Sequence, residues 1–182
     1  APLVLKSTHF FRQPLPASTL IMKQAKQYPF LKLQQQRLTL WFEQHSAAPD
    51  TPTEADFFRW SWQALKSFHR RADISIVLCD EAEARAFNRD YRGKDYATNV
   101  LSFALNEAEW LPETQTDHLQ GDLVLCVDVV AREAAEQGKA LHAHYAHLCV
   151  HGVLHLMGFD HTDEAEAETM EALEIHILHQ LG

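Results

Sequence analysis

Short apolar runs along this chain alternate with longer stretches of helical periodicity. Residues 3–8 (LVLKST) predict a strand. Residues 17–28 and 30–45 read as two helical pieces separated by Pro29, whose ring clashes with the preceding turn and which has no N–H to donate. A helix start follows, with Thr51 as cap, Pro52 in the first position and Glu54 three residues after the cap; the helix is expected to run to about Phe68. Phe57, Phe58, Trp60, Trp62, Leu65 and Phe68 make it apolar on more than one face, so it should lie between a sheet and the 17–45 helices. Residues 73–79 (DISIVLC), 99–105 (NVLSFAL) and 122–127 (DLVLCV) predict strands, and 81–91 a helix. Residues 106–120 are acidic and irregular and read as a loop. Helices are expected over 129–137, stopped by Gly138, and over 140–157, stopped by Gly158. Asp163 with Glu166 caps a last helix striped by Met170, Leu173, Ile177 and Leu181. The pattern predicts an α+β fold: a small mixed β-sheet packed with helices, one domain over 1–182, with residues 9–50 as an atypical helical appendage.

Composition narrows the class. The 182 residues are 46% hydrophobic and 23% charged, which excludes a disordered chain. No stretch of 18 apolar residues predicts a membrane span, and no basic segment followed by an apolar run marks a secretory leader, so a cytoplasmic location is expected. The three cysteines are far apart and form no CxxC pair, which points to buried thiols and against a thiolate zinc knuckle. There is no GxGxxG or GxxxxGK loop for a nucleotide. The net charge of −9 is uneven: residues 1–72 hold ten basic and four acidic residues, and residues 73–182 six and twenty-one. A polyanion partner therefore remains open for the first part.

The chemistry concentrates in residues 151–161 (HGVLHLMGFDH). His151 and His155 are four apart and share one face of a helix. Gly158 lets the chain leave that helix in a left-handed conformation, and His161 can swing back toward the first two. Three imidazoles with a fourth position open make the arrangement of a catalytic zinc site, one ion per chain. His147 continues the row one turn earlier; a straight helix places its histidines along a line, so His161 is preferred as third ligand and His147 is given a supporting or packing role. His142 and His144 are expected to be partly exposed. The spacing follows the metzincin pattern, but Gly152 stands where the protease glutamate would be. Asp160 could replace that base or orient a ligand histidine, and the second role is preferred.

HGVLHLMGFDH resembles the signature of the YbeY family of bacterial rRNA maturation factors. YRGKDYATNVLSF (91–103) and GDLVLC (121–126) resemble two further segments of that family, in the same order. The resemblance covers about residues 53–182, and residues 9–50 have no recognised counterpart in it. It implies a zincin-like scaffold, zinc ligands at His151, His155 and His161, and a functional arginine at Arg92. It also implies cleavage of single-stranded RNA in maturing the ends of 16S rRNA and in ribosome quality control, with ribosomal subunits, a ribosomal protein and an assembly GTPase as partners.

Elementary chemistry agrees on Arg92. A guanidinium fork gives a phosphate two parallel hydrogen bonds, and Arg92, Lys94 and Arg89 form the basic cluster of an otherwise acidic region. Pairing of Arg92 with Asp90, Asp95 or another carboxylate, merely to stabilise a turn, is the competing reading. Asn99 and Ser102 are polar candidates for the same cleft, or equally plain turn and strand residues. A zinc metallopeptidase and a non-catalytic ribosome-assembly factor with structural zinc are the rival functions. The basic residues Lys23, Lys26, Lys32 and Arg37 are expected to dock RNA or to cover the 52–68 helix.

Overall fold

The computed structural model describes residues 37–105 and 118–182. A four-stranded mixed sheet is formed by β1 (Leu38–Gln44), β2 (Arg71–Cys79), β3 (Val100–Ala104) and β4 (His118–Cys126), in the order β1-β2-β4-β3. β1, β2 and β4 run parallel, and β3 is an antiparallel edge strand. Among the described residues five helices accompany it: α1 (Glu54–Leu65), α2 (Glu81–Arg92), α3 (Val127–Glu136), α4 (Leu141–Leu156) and α5 (Glu164–Leu181). This is the α+β class the pattern predicts.

The period of two divides the sheet into two apolar faces. Ile74, Ile76 and Leu78 of β2 join Leu119, Leu123 and Leu125 of β4 in the larger core, under α1, α4 and α5. Val77, Cys79, Val124 and Cys126 point the other way, where Ala84 and Phe87 of α2 cover them. α4 is the central helix and is apolar nearly all round: Tyr145, Leu148, Cys149, Val150, Val153 and Leu154 are buried on several sides. Two glycines let it approach the sheet closely. A Cβ on Gly121 would lie 2.5 Å from Leu156 Cδ2, and one on Gly152 would lie 2.9 Å from Leu123 Cδ2.

Several boundaries move. Residues 38–44, expected within a helix, are strand β1, paired over all seven residues with β2. Buried Leu38 and Phe42 are four apart, which suits a helix as well as a strand, and the available sheet edge decides the outcome. The helical appendage is therefore not helical in this part. The readings of 3–8 and 17–28, and the residues Lys23, Lys26 and Lys32, lie outside the described residues. Arg37 is committed within the fold: its Nε and Nη2 donate to the carbonyls of Arg70 and His69, both at 2.9 Å, and its guanidinium stands 4.7 Å from the Trp62 ring centre. The cap of α1 is Thr53, two residues beyond the expected Thr51; it accepts from Asp56 N–H while the Asp56 carboxylate accepts from Thr53 N–H at 2.9 Å. α1 packs mainly against α4, and also against α5 and β1. Finally, β4 begins at His118, so the tail of the expected 106–120 loop belongs to the sheet.

Candidate metal centre and cleft

α4 carries His151 and His155 one turn apart, both half-buried. After it, Met157 caps the helix, Gly158 takes φ 93°, and Phe159 N–H returns to Leu154 C=O at 3.1 Å. That left-handed turn carries the chain around to His161, whose backbone N–H is held by Asp160 Oδ1 at 2.8 Å. One ring nitrogen from each of the three histidines lies within 4.8 Å of the others, and the Nε2 atoms of His151 and His155 are 3.0 Å apart. Tetrahedral zinc with bonds of about 2.0–2.1 Å needs nitrogens separated by about 3.3 Å, so the donor set fits such an ion after small side-chain rotations.

The protonation of the rings also suits a cation. His151 Nδ1 donates to Glu174 Oε1 on α5, which fixes the tautomer and leaves Nε2 with its lone pair toward the other two histidines. His147 Nε2 donates to the other oxygen of the same carboxylate at 3.0 Å. Burial alone would raise the Glu174 pKa, but the hydrogen bonds from His147 and His151 outweigh it and hold the carboxyl down at about 2. Burial lowers the pKa of His155, and repulsion from His151 and His161 lowers it further, favouring the neutral, ligating form.

A cleft of about 620 Å³ opens over these rings. One wall is the edge region Asn99, Val100, Ser102, Phe103 and Ala104; the other is His151, His155 and the 158–161 turn; Arg92 stands at its side. Arg92 is the last residue of α2, before Gly93 turns the chain at φ 70°. The nearby carboxylates are taken by other arginines. Asp95 accepts both Nε and Nη2 of Arg85 at 2.8 Å, and Asp90 accepts Arg89 Nε at 3.0 Å. No described residue forms an ion pair or side-chain hydrogen bond with Arg92, so the competing reading of it as an internal pairing residue has no partner here.

The other residues singled out in the sequence separate by position. Asp160 lines the cleft but is spent on its own turn; its carboxylate is 3.9 Å from His161 Nδ1, too far for a hydrogen bond. The carboxylate that orients one of the three candidate ligands, His151, is Glu174. Asn99 lines the cleft, with Nδ2 donating to Glu133 and Oδ1 accepting Val100 N–H at 2.6 Å. Ser102 Oγ donates to Gly152 C=O at 3.3 Å. Lys94 does not line the cleft. His147 faces a neighbouring hollow along with His144, Glu133 and Glu174. His144, expected to be partly exposed, is 3% exposed and donates to Glu133 at 2.8 Å.

Glu174 and Glu133 were missed by the sequence reading, and Glu174 left a trace. It stands at helical spacing between Met170 and Ile177, a charged residue on an otherwise buried stripe. The position of Gly152 also gains a physical reason. Its face lies against Leu123 and Ser102 of the sheet, so the glutamate of the metzincin pattern has no room there.

Fold and site together define an α+β protein with an open cluster of three histidines, fit for a divalent cation, beside a guanidinium that has no partner among the described residues. The family profile described as Endoribonuclease YbeY matches residues 42–182, and the chain belongs to this family. It is 62% identical to an Endoribonuclease YbeY of Neisseria meningitidis serogroup A over 161 residues, covering 88% of this chain and 94% of the relative. It is 56% identical to the Chromobacterium violaceum protein of the same name, over the same shares of both chains. Alignments of that extent cannot skip a segment as long as 9–50, so part of the expected appendage does have counterparts in relatives. The solution structure of TM1509 from Thermotoga maritima shares the fold, with a TM-score of 0.51 at 19% identity over 79% of this chain and 91% of that one.

Proposed function

We propose that the protein is a zinc-dependent endoribonuclease that cleaves single-stranded rRNA during maturation of 16S ends and in ribosome quality control. The observation that carries this reading is Arg92, without a partner among the described residues, in the same cleft as the three convergent imidazoles. His151, His155 and His161 would hold one ion, which would supply Lewis acidity toward phosphoryl oxygens and toward the oxygen of the attacking group, making its proton easier to lose. Arg92 donates two parallel hydrogen bonds to the scissile phosphate and offsets charge as it builds on the oxygens. Glu174 keeps His151 in the tautomer that presents Nε2. Asn99, oriented by Glu133, lines the cleft as a further polar contact for the strand, and Lys94 adds positive charge outside it.

The attacking oxygen comes from water or from the RNA's own 2′-hydroxyl, and only the second route leaves a cyclic phosphate. The lack of room for a carboxylate at Gly152 weighs against a peptidase. An open three-nitrogen set weighs against a purely structural zinc in an assembly factor. The same reading puts its action in the cytoplasm on ribosomal subunits, with a ribosomal protein and an assembly GTPase as partners; no described helix is long and apolar enough to cross a membrane.

Purified protein mixed with labelled single-stranded rRNA tests the reading. Cleavage is expected from the wild type, and none after chelation or in His155→Ala. Chelator-insensitive cleavage would refute the metal role. Cleavage of peptides in place of RNA would favour the peptidase, and zinc-loaded protein that binds ribosomes without cutting RNA would favour the assembly factor.

A further inference from the structure

We propose that the rings of Tyr91 and Tyr96 form a platform on which unpaired bases of the RNA stack while the adjoining cleft holds the phosphate. This rests on the endoribonuclease reading and extends it to how the strand is gripped. Among the described residues four large hydrophobic side chains are exposed: Phe68, Tyr91, Tyr96 and Ile175. Both tyrosines belong to the short segment that carries Arg92 and Asn99 to the cleft.

The Tyr91 ring is held by two aromatic neighbours and still reaches solvent. Phe87 stacks on it with centroids 5.9 Å apart and planes 22° apart, and the Phe103 ring packs against it in a T-shaped pair, with centroids 5.5 Å and planes 66° apart. Phe103 is itself a wall of the cleft, so the aromatic surface is continuous with the site. Tyr91 nevertheless remains 40% exposed, and Tyr96 is 55% exposed. The loop under Tyr96 is anchored: the buried Asn88 donates from Nδ2 to the Tyr96 carbonyl at 2.7 Å, and Lys94 N–H returns to Asn88 C=O at 3.3 Å. A ring on a tethered loop loses little freedom when a base settles on it.

Charge selects the occupant. Arg85 and Arg89 are neutralised by Asp95 and Asp90, whereas Arg92 and Lys94 have no partner among the described residues. Exposed aromatic faces beside free cations match a single nucleic-acid strand, whose bases have π-faces and whose backbone is anionic. Paired bases are stacked within their own helix and are not offered to such a surface. The platform therefore gives the site a preference for single strands without reading sequence.

The test pairs changes in the protein with changes in the RNA. A labelled single-stranded oligoribonucleotide, and the same strand carrying abasic sites beside the cleaved bond, are bound to the zinc-loaded wild type, Tyr91→Leu, Tyr91→Phe and Tyr96→Ala. Anisotropy is read at zero time, cleavage is read on the same samples, and thermal melting checks folding. Leucine keeps apolar bulk against Phe87 and Phe103 but removes the π-face. Tyr91→Leu and Tyr96→Ala should weaken binding of the intact strand by about five- to one-hundred-fold. They should weaken binding of the abasic strand far less, and Tyr91→Phe should recover most of the loss. Equal losses on both strands, or no loss on the intact strand in folded variants, would overturn the platform. A wild type that binds RNA without cutting it would defeat the endoribonuclease reading, and the base comparison would still decide the platform. A wild type that binds neither strand would overturn both.

Discussion

Replacing Glu174 with glutamine removes one charge from the buried side of the histidine cluster and leaves its shape. The carboxylate is 7% exposed and accepts from both His147 Nε2 and His151 Nδ1. Its pKa of about 2, against an ordinary 4.5, corresponds to about 3 kcal/mol of preference for the ionised form, an upper figure for what the variant forfeits. A glutamine oxygen can still accept from one histidine, but its amide NH2 faces the other as a second donor. Even with the oxygen turned to His151, a neutral amide polarises Nδ1–H less than a carboxylate does, so the imidazole loses part of its basicity. Losing such a partner typically weakens metal affinity about 10- to 100-fold. Competition with a chromogenic chelator in the chelator-stripped, reconstituted protein measures this directly, with circular dichroism melting as the check on folding. Zinc affinity in Glu174→Gln within a factor of two of wild type, in a folded protein, would refute the argument that Glu174 orients His151. Glu174→Ala should lose more, because it leaves both His147 and His151 without their acceptor.

Other consequences are more local. Arg92→Ala should cut RNA cleavage strongly while leaving zinc content and melting temperature nearly unchanged, and Arg92→Lys should rescue only partly, since an ammonium lacks the bidentate fork; a matching drop in melting temperature would mean that Arg92 serves stability. Gly152→Ala forces a Cβ against buried Leu123 and should destabilise the fold by about 1–3 kcal/mol in urea unfolding, whereas an unchanged midpoint would show that α4 can shift off the sheet. Burial raises the pKa of Asp122, opposed only in part by its hydrogen bond with Ser75, so the folded state prefers it protonated. The stability this contributes is present at low pH and is lost as pH rises through the folded pKa; Asp122→Asn should therefore gain on wild type as pH rises from 3 to 7 in urea titrations, and a constant difference would remove burial as the cause.

The parts of this molecule that were legible in the sequence are those in which local chemistry and tertiary context agree. H-x3-H with a glycine three residues later is a helix face followed by a left-handed exit, and both depend on residues close in sequence. The strand periodicity of 73–79 is likewise local, and pairing on both sides leaves nearly the whole of β2 buried. What was not legible depends on distant partners. Residues 38–44 become a strand because β2 offers an edge with a matching register. Glu174 lies 23 residues beyond His151, and only the packing of α5 on α4 brings its carboxylate to the ring. His144 is buried because Glu133 meets it from α3. The release of Arg92 from its neighbouring acids was likewise decided elsewhere, by Arg85 and Arg89 taking Asp95 and Asp90.

The most direct test of a metal-dependent ribonuclease built on His151, His155 and His161 is a zinc titration of the chelator-stripped protein, followed by the rate of single-stranded RNA cleavage. A single-ion catalytic site predicts no cleavage in the stripped protein, a linear rise in rate, and a plateau at one equivalent of zinc. Full activity before zinc is added, or a plateau only at two equivalents, would contradict it.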